Sequence, residues 1–243
     1  MAKRTWLVLG AESVMGRAFS REAVSQGDDV VLLGRDPDDL DLVAADLRAR
    51  CPSAGVETEA FDPTVVESFP KIIAKCEEKA KNIVSVFSGL ETVYFQKECG
   101  RDLGKIKNMF QINYLAQIYF LTAASALLRK QNCGEIIVLG STAGEYGLSD
   151  NYAYGSTKAA LHVWLQGFYE QMAAQKIFVT TVKIDDTDLI ADMGRFEFLR
   201  TDFVPEECAK MCMKYAGTKT KVVYYPRFAR WTAPLRRFIK PVE

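Results

Sequence analysis

Thr5-Trp6-Leu7-Val8-Leu9-Gly10-Ala11-Glu12-Ser13-Val14-Met15-Gly16 is the stretch whose reading decides the fold. Its run from Thr5 to Leu9 is too short for a helix and has no polar interruption past Thr5, the pattern of a strand buried on both faces. Gly10 then permits a tight turn, and a helical pattern starts near residue 15, where Gly16 permits close packing of helix on strand. The free N–H groups at the start of such a helix can hold a pyrophosphate, which makes Gly10, Ser13, Val14, Met15 and Gly16 a candidate phosphate cradle. An ordinary strand-to-helix turn reads the same way in isolation, because Val14 stands where a glycine would let the backbone approach the phosphates.

Outward from this stretch the pattern repeats. Strand-like runs recur at Val30–Leu33, Val56–Ala60, Ile83–Phe87, Glu135–Leu139, Phe178–Ile184 and Lys221–Tyr225. Between them, residues 15–26, 37–50, 64–79, 102–130, 152–175 and 205–216 carry apolar positions three or four apart, the helical period. Alternation of this kind calls for a parallel sheet with right-handed crossovers. The expected architecture is α/β: a single doubly wound, Rossmann-type domain over residues 1–225, a seven-stranded parallel sheet with helices on both faces, followed by a tail over 226–243. Ligands of such sheets lie at the carboxyl ends of the strands.

Composition agrees with a globular chain and excludes several classes. Of 243 residues, 49% are apolar and 26% charged, unlike a disordered or fibrous chain. The 31 basic residues balance the 31 acidic ones, so no net field draws the molecule to nucleic acid. The charge is uneven, however: from Lys219 onward seven basic residues face Glu243 alone, giving an acidic body a basic tail. No run has the length of a signal peptide's apolar region or of a bilayer span. A cytoplasmic protein with six free thiols is expected, with no metal, since His162 is the only histidine beside the Cys208/Cys212 pair.

The strand ends carry the chemistry. After the second strand, Gly34-Arg35 offers a cation where a carboxylate would recognise the ribose 2′-hydroxyl of NAD, which favours NADPH; a solvated Arg35 is the bland alternative. Asp62, past the third strand, suits an adenine amino group or a helix cap equally. Ser141 ends the fifth strand. Tyr154 and Lys158, one helical turn apart, share a face. A phenol's pKa of about 10 is too high for easy proton exchange near neutrality, and an adjacent cation favours the phenolate. Lys158 would tune Tyr154 as the acid in carbonyl reduction, with Ser141 donating to the carbonyl oxygen.

With the cradle, the serine spacing and Tyr154-Gly155-Ser156-Thr157-Lys158, the chain resembles the classical short-chain dehydrogenase/reductase family from Thr5 to about Tyr225. The resemblance implies a catalytic tetrad of Asn113, Ser141, Tyr154 and Lys158, in which the asparagine holds a water linking the lysine to solvent and the lysine also grips the nicotinamide ribose. It further implies cofactor contacts at Ser88, Gly89, Ile184 and Thr187, and a homodimer or homotetramer. Val86-Phe87-Ser88-Gly89 and Ile184-Asp185 depart from the family's Asn-Asn-Ala-Gly and Pro-Gly, as Val14 departs from its middle glycine. Ile112-Asn113-Tyr114, Gly134-Glu135-Ile136-Ile137 and Ser141-Thr142-Ala143-Gly144-Glu145 are similar to the decaprenylphosphoryl-2-ketoribose reductase branch, which would imply a lipid-linked keto-sugar reduced at a membrane surface.

Two segments bear on the substrate. Phe196, Phe198 and Phe203 fall where the family keeps a substrate lid; they suit an apolar substrate or a helix core. In the tail, Phe228, Trp231, Leu235 and Phe238 alternate with arginines, as in an interfacial helix, with Pro234 expected to break it in two. Those aromatics either meet the inner face of a membrane or pack on the body or a neighbouring subunit. The expected function is NADPH-dependent reduction of a ketone, small or lipid-linked, to a secondary alcohol. A non-catalytic NADPH sensor and a membrane-surface interaction subunit are the alternatives.

Overall fold

A computed structural model describes residues 3–147, 149–185 and 203–236. The strands are β1 (Arg4–Leu9), β2 (Asp29–Gly34), β3 (Val56–Ala60), β4 (Ile83–Ser88), β5 (Gly134–Ser141), β6 (Ile177–Ile184) and β7 (Val222–Tyr225). They form one parallel sheet in the order β3-β2-β1-β4-β5-β6-β7. The order reverses at β1, so the loops after β1 and β4 leave for opposite faces and open a crevice between them.

The helices are α1 (Val14–Ser25), α2 (Pro37–Arg50), α3 (Phe69–Lys79), α4 (Gln96–Cys99), α5 (Leu103–Phe110), α6 (Gln117–Gln131), α7 (Tyr152–Ala173), α8 (Pro205–Tyr215) and α9 (Ala229–Arg236). Alternate β1 residues serve opposite layers. Trp6 and Val8 pack with α1, α2 and α8, whereas Leu7 and Leu9 pack with α3, α6 and α7. Phe87 stacks on Phe19 of α1 at 3.9 Å, so the aromatic that departs from the family's Asn-Asn-Ala-Gly is a core residue of the α1 side.

Two expected elements differ. The span 102–130 is not one helix: α5 and α6 are joined by a π-helical segment, Gln111–Ala116. That wider turn carries Asn113 inward to the loop after β4. The tail is not broken at Pro234 either, because α9 runs through it to Arg236 and forgoes only the one helical bond that a missing N–H removes. Phe228 and Trp231 are exposed, at 45% and 72%, and both border a cavity that Lys183, Tyr215 and Tyr224 of the body also line. Arg230 lies 5.5 Å from the centre of the Trp231 ring. No described helix is long and apolar enough to cross a membrane.

Candidate active site

The turn after β1 is built as a cradle. Ser13 caps α1 by accepting the Gly16 N–H at 3.0 Å, which leaves the first-turn amides of Val14 and Met15 without helical acceptors. A Cβ at Gly16 would stand 2.2 Å from the Gly10 carbonyl oxygen, so only glycine lets the helix start this close to the strand. Val14 is exposed over the cavity and does not block the turn. These observations fit a dinucleotide pyrophosphate, which Gly10, Ser13, Val14, Met15 and Gly16 would hold.

At the end of β2 Arg35 is exposed, and Glu12 is beside it. The Glu12 carboxylate accepts the Arg35 backbone N–H at 3.2 Å, and its other oxygen would lie 1.8 Å from a Cβ at Gly34. A bare Cα at Gly34 therefore makes room for a carboxylate. Asp62 accepts from the amide and hydroxyl of Thr64 at 2.8 and 2.7 Å, a local turn at the end of β3 and not a cap of α3.

Beyond the cradle a cavity of about 420 Å³ opens, lined in part by Gly89, Glu91, Ser141, Tyr154, Ile184 and Phe203. Tyr154 and Lys158 from α7 are both buried, Tyr154 on the cavity wall and Lys158 behind it. Lys158 Nζ is 5.6 Å from the centre of the Tyr154 ring and 3.4 Å from the Leu139 carbonyl oxygen. Ser141 Oγ accepts the Ala143 N–H at 3.1 Å, and among the described residues its own proton has no acceptor. The side chain is thus oriented with a donor to spare.

Glu91, which the sequence reading passed over, completes the group. Its Oε1 accepts the Tyr154 hydroxyl and pairs with Lys158 Nζ at 3.0 Å. Desolvation pushes the Glu91 carboxyl up, but Lys158 and the Tyr154 hydroxyl outweigh it and hold the group below the usual carboxylate range. The available signal was a carboxylate two residues past Gly89 in a strand-end loop.

Asn113 is fully buried and reached from another direction. Its Oδ1 accepts the Thr92 N–H at 2.7 Å, and its amide donates to Thr92 O at 2.8 Å and to Thr157 Oγ1 at 3.3 Å. Both amide protons are committed to protein, so the side chain anchors the loop bearing Glu91. Gln117 Nε2 donates to the Asn113 carbonyl at 2.7 Å and reaches Leu90 O at 3.3 Å, while its Oε1 accepts from Ser88 at 2.8 Å. Ser88 is therefore turned into the interior, away from the cavity; Gly89 lines it, as does Ile184. Thr187, Phe196, Phe198 and Phe238 lie outside the described residues. Phe203 lines the cavity and meets Tyr225 edge-on at 5.8 Å.

Cys208 and Cys212 are buried thiols, and no cluster suited to a metal occurs among the described residues. Burial pushes Cys76 up to about 12, which makes it inert.

Comparison with known proteins finds the same architecture. Residues 4–195 match the family model described as short chain dehydrogenase. An uncharacterized oxidoreductase of Staphylococcus saprophyticus is 28% identical over 188 residues, 76% of this chain and 80% of that protein. The 3-dehydrosphinganine reductase of Danio rerio is 25% identical over 229 residues, 86% of this chain and 67% of the relative. A solved short chain dehydrogenase/reductase of Burkholderia phymatum, in complex with NAD, superposes with a TM-score of 0.82 at 16% identity, covering 99% of this chain and 98% of that one.

Proposed function

The chain belongs to the short chain dehydrogenase family and is an NAD(P)-dependent oxidoreductase, and from that premise we propose that it reduces a ketone to a secondary alcohol with NADPH. The observation that carries the reading is that Tyr154 and Ser141 line one cavity beside the phosphate cradle, with the buried Lys158 ammonium next to the Tyr154 ring. Bound there, the nicotinamide supplies a hydride to the carbonyl carbon. Ser141 donates a hydrogen bond to the carbonyl oxygen, on which charge develops. Tyr154 gives that oxygen its proton, and the Lys158 cation stabilises the phenolate left behind.

The test is NADPH consumption against a panel of ketones. Tyr154→Phe, which removes one hydroxyl and keeps the ring, should lower kcat by about 10²–10⁴ and leave NADPH affinity nearly intact. Turnover within tenfold of wild type would refute the acid. The apolar walls of the cavity, and the resemblance to a reductase named for a lipid ketone, support an apolar or lipid-linked substrate. The exposed Phe228 and Trp231 beside Arg227 and Arg230 support delivery at an anionic membrane surface.

NADPH is favoured by Arg35, whose guanidinium suits a 2′-phosphate. The Glu12 carboxylate beside it favours a second reading, NADH, since it would accept from a free ribose hydroxyl and repel a phosphate. Arg35→Ala separates the two. For NADPH the KM should rise by about tenfold or more with little change for NADH. Equal losses with both cofactors would pass the preference to Glu12.

A further inference from the structure

The hydrogen bond from Tyr154 that a ketone oxygen needs is held in this structure by Glu91. Its carboxylate borders the cavity with 39% of the side chain exposed, and both its partners, Tyr154 and Lys158, engage Oε1, leaving Oε2 without a hydrogen bond from the described residues. Arrival of a ketone takes the Tyr154 donor away from the carboxylate but does not let the carboxylate leave. Lys158, 1% exposed, still pairs with it. The loop carrying it is fastened on both sides, through Asn113 to Thr92 and through Gln117 to Leu90.

A tethered carboxylate that loses a donor next to a filling, increasingly dry cavity favours a replacement donor, because an unsatisfied charged acceptor there is costly. Its distance from the reacting carbonyl is fixed by chemistry. Held by Lys158, the Glu91 carboxylate stays beside the phenol oxygen after the ketone oxygen has taken the phenol's proton in a hydrogen bond, which brings the carboxylate within reach of a substituent on the carbon beside the carbonyl. The remaining wall, including Val93, Leu139 and Phe203, is apolar. Resting on the reductase reading above, we propose that Glu91 is a substrate-binding residue that selects ketones bearing a hydrogen-bond donor, a hydroxyl or a protonated amine, on the adjacent carbon of an otherwise apolar chain.

The experiment compares α-hydroxy, α-ammonio and α-methoxy ketones on one common alkyl chain, with NADPH as reductant. The methoxy compound keeps the inductive activation of the carbonyl but cannot donate. Wild type should prefer the hydroxy and ammonio ketones over the methoxy ketone by about tenfold or more in kcat/KM, the worth of one charge-assisted hydrogen bond. Glu91→Leu should bring both ratios close to one. Glu91→Gln, an isostere that retains an acceptor but no charge, should keep part of the hydroxy preference and lose the ammonio advantage. Melting temperature and NADPH affinity establish that each variant is folded. Where a variant turns over too slowly, ketone binding to the enzyme–NADPH complex, read from nicotinamide fluorescence, gives the same ratios. Equal wild-type turnover of hydroxy and methoxy ketones, or ratios unchanged in Glu91→Leu, would overturn the assignment while leaving the reductase intact. No turnover of any ketone by wild type would overturn the reductase reading itself.

Discussion

His162 is buried on the inner face of α7, one turn beyond Lys158, and its Nε2 has no hydrogen-bond partner among the described residues. Burial first, then Lys183 and Lys158, pushes its pKa down to about 3. In the unfolded chain the imidazole titrates near 6.5. Below that pH the unfolded state binds a proton that the folded state refuses, so this group's contribution is intact above about pH 6.5 and is lost as pH falls toward 3. The slope is at most about 1.4 kcal/mol per pH unit. Urea unfolding at pH 7 and pH 5 should therefore show a wild-type loss exceeding that of His162→Gln by about 2 kcal/mol; parallel losses would mean that the imidazole reaches water. The ring's position also constrains its neighbours: a Cβ at Gly140 would come within 2.5 Å of Nε2.

Among elements, the π-helical turn between α5 and α6 connects packing to chemistry. Gln117 is fully buried and serves Ser88, Leu90 and Asn113 at once. Gln117→Leu would leave those buried groups without partners, a cost of roughly 1–3 kcal/mol for each one stranded. Chemical denaturation should register a loss of that order, and kcat should fall with it because the loop of Glu91 loosens; an unchanged stability would show that the loop is held by Asn113 alone. The sequence made the strands and most helices legible, since runs such as Trp6–Leu9 and Val30–Leu33 are continuous and each is closed by a glycine. It also placed Ser141, Tyr154 and Lys158 together through a strand end and a one-turn spacing. The π segment was not legible because its sequence keeps helical spacing, and the partner that Asn113 meets there, Thr92, is 21 residues away. Glu91 and Glu12 escaped for a related reason. Each is one carboxylate in a loop, and its meaning comes from the neighbour that the sheet supplies.

At the scale of the molecule, the two ends of the sheet are built differently. The carboxyl ends of the strands hold the open cavity, while at the amino ends Arg4 joins Asp28 at 2.9 Å and Glu135 at 2.6 Å, and Trp6 Nε1 donates to the same Asp28 oxygen at 2.9 Å. Arg4 and Asp28 are both buried. Arg4→Ala takes the cation away from the buried Asp28 and from Glu135, so it should cost about 3–5 kcal/mol and lower the melting temperature. Turnover per folded molecule should stay unchanged; a fall in kcat/KM below the melting range would mean that the ends are mechanically coupled. This polarity bears on how the enzyme can diverge. Because the groups that clamp the strands lie a full strand length from the cavity wall, exchanges at Val93, Leu139 or Phe203 can retune what is reduced while the clamp continues to hold the sheet. A lineage, or a designer, can explore new substrates at one end of this scaffold with its durability secured at the other.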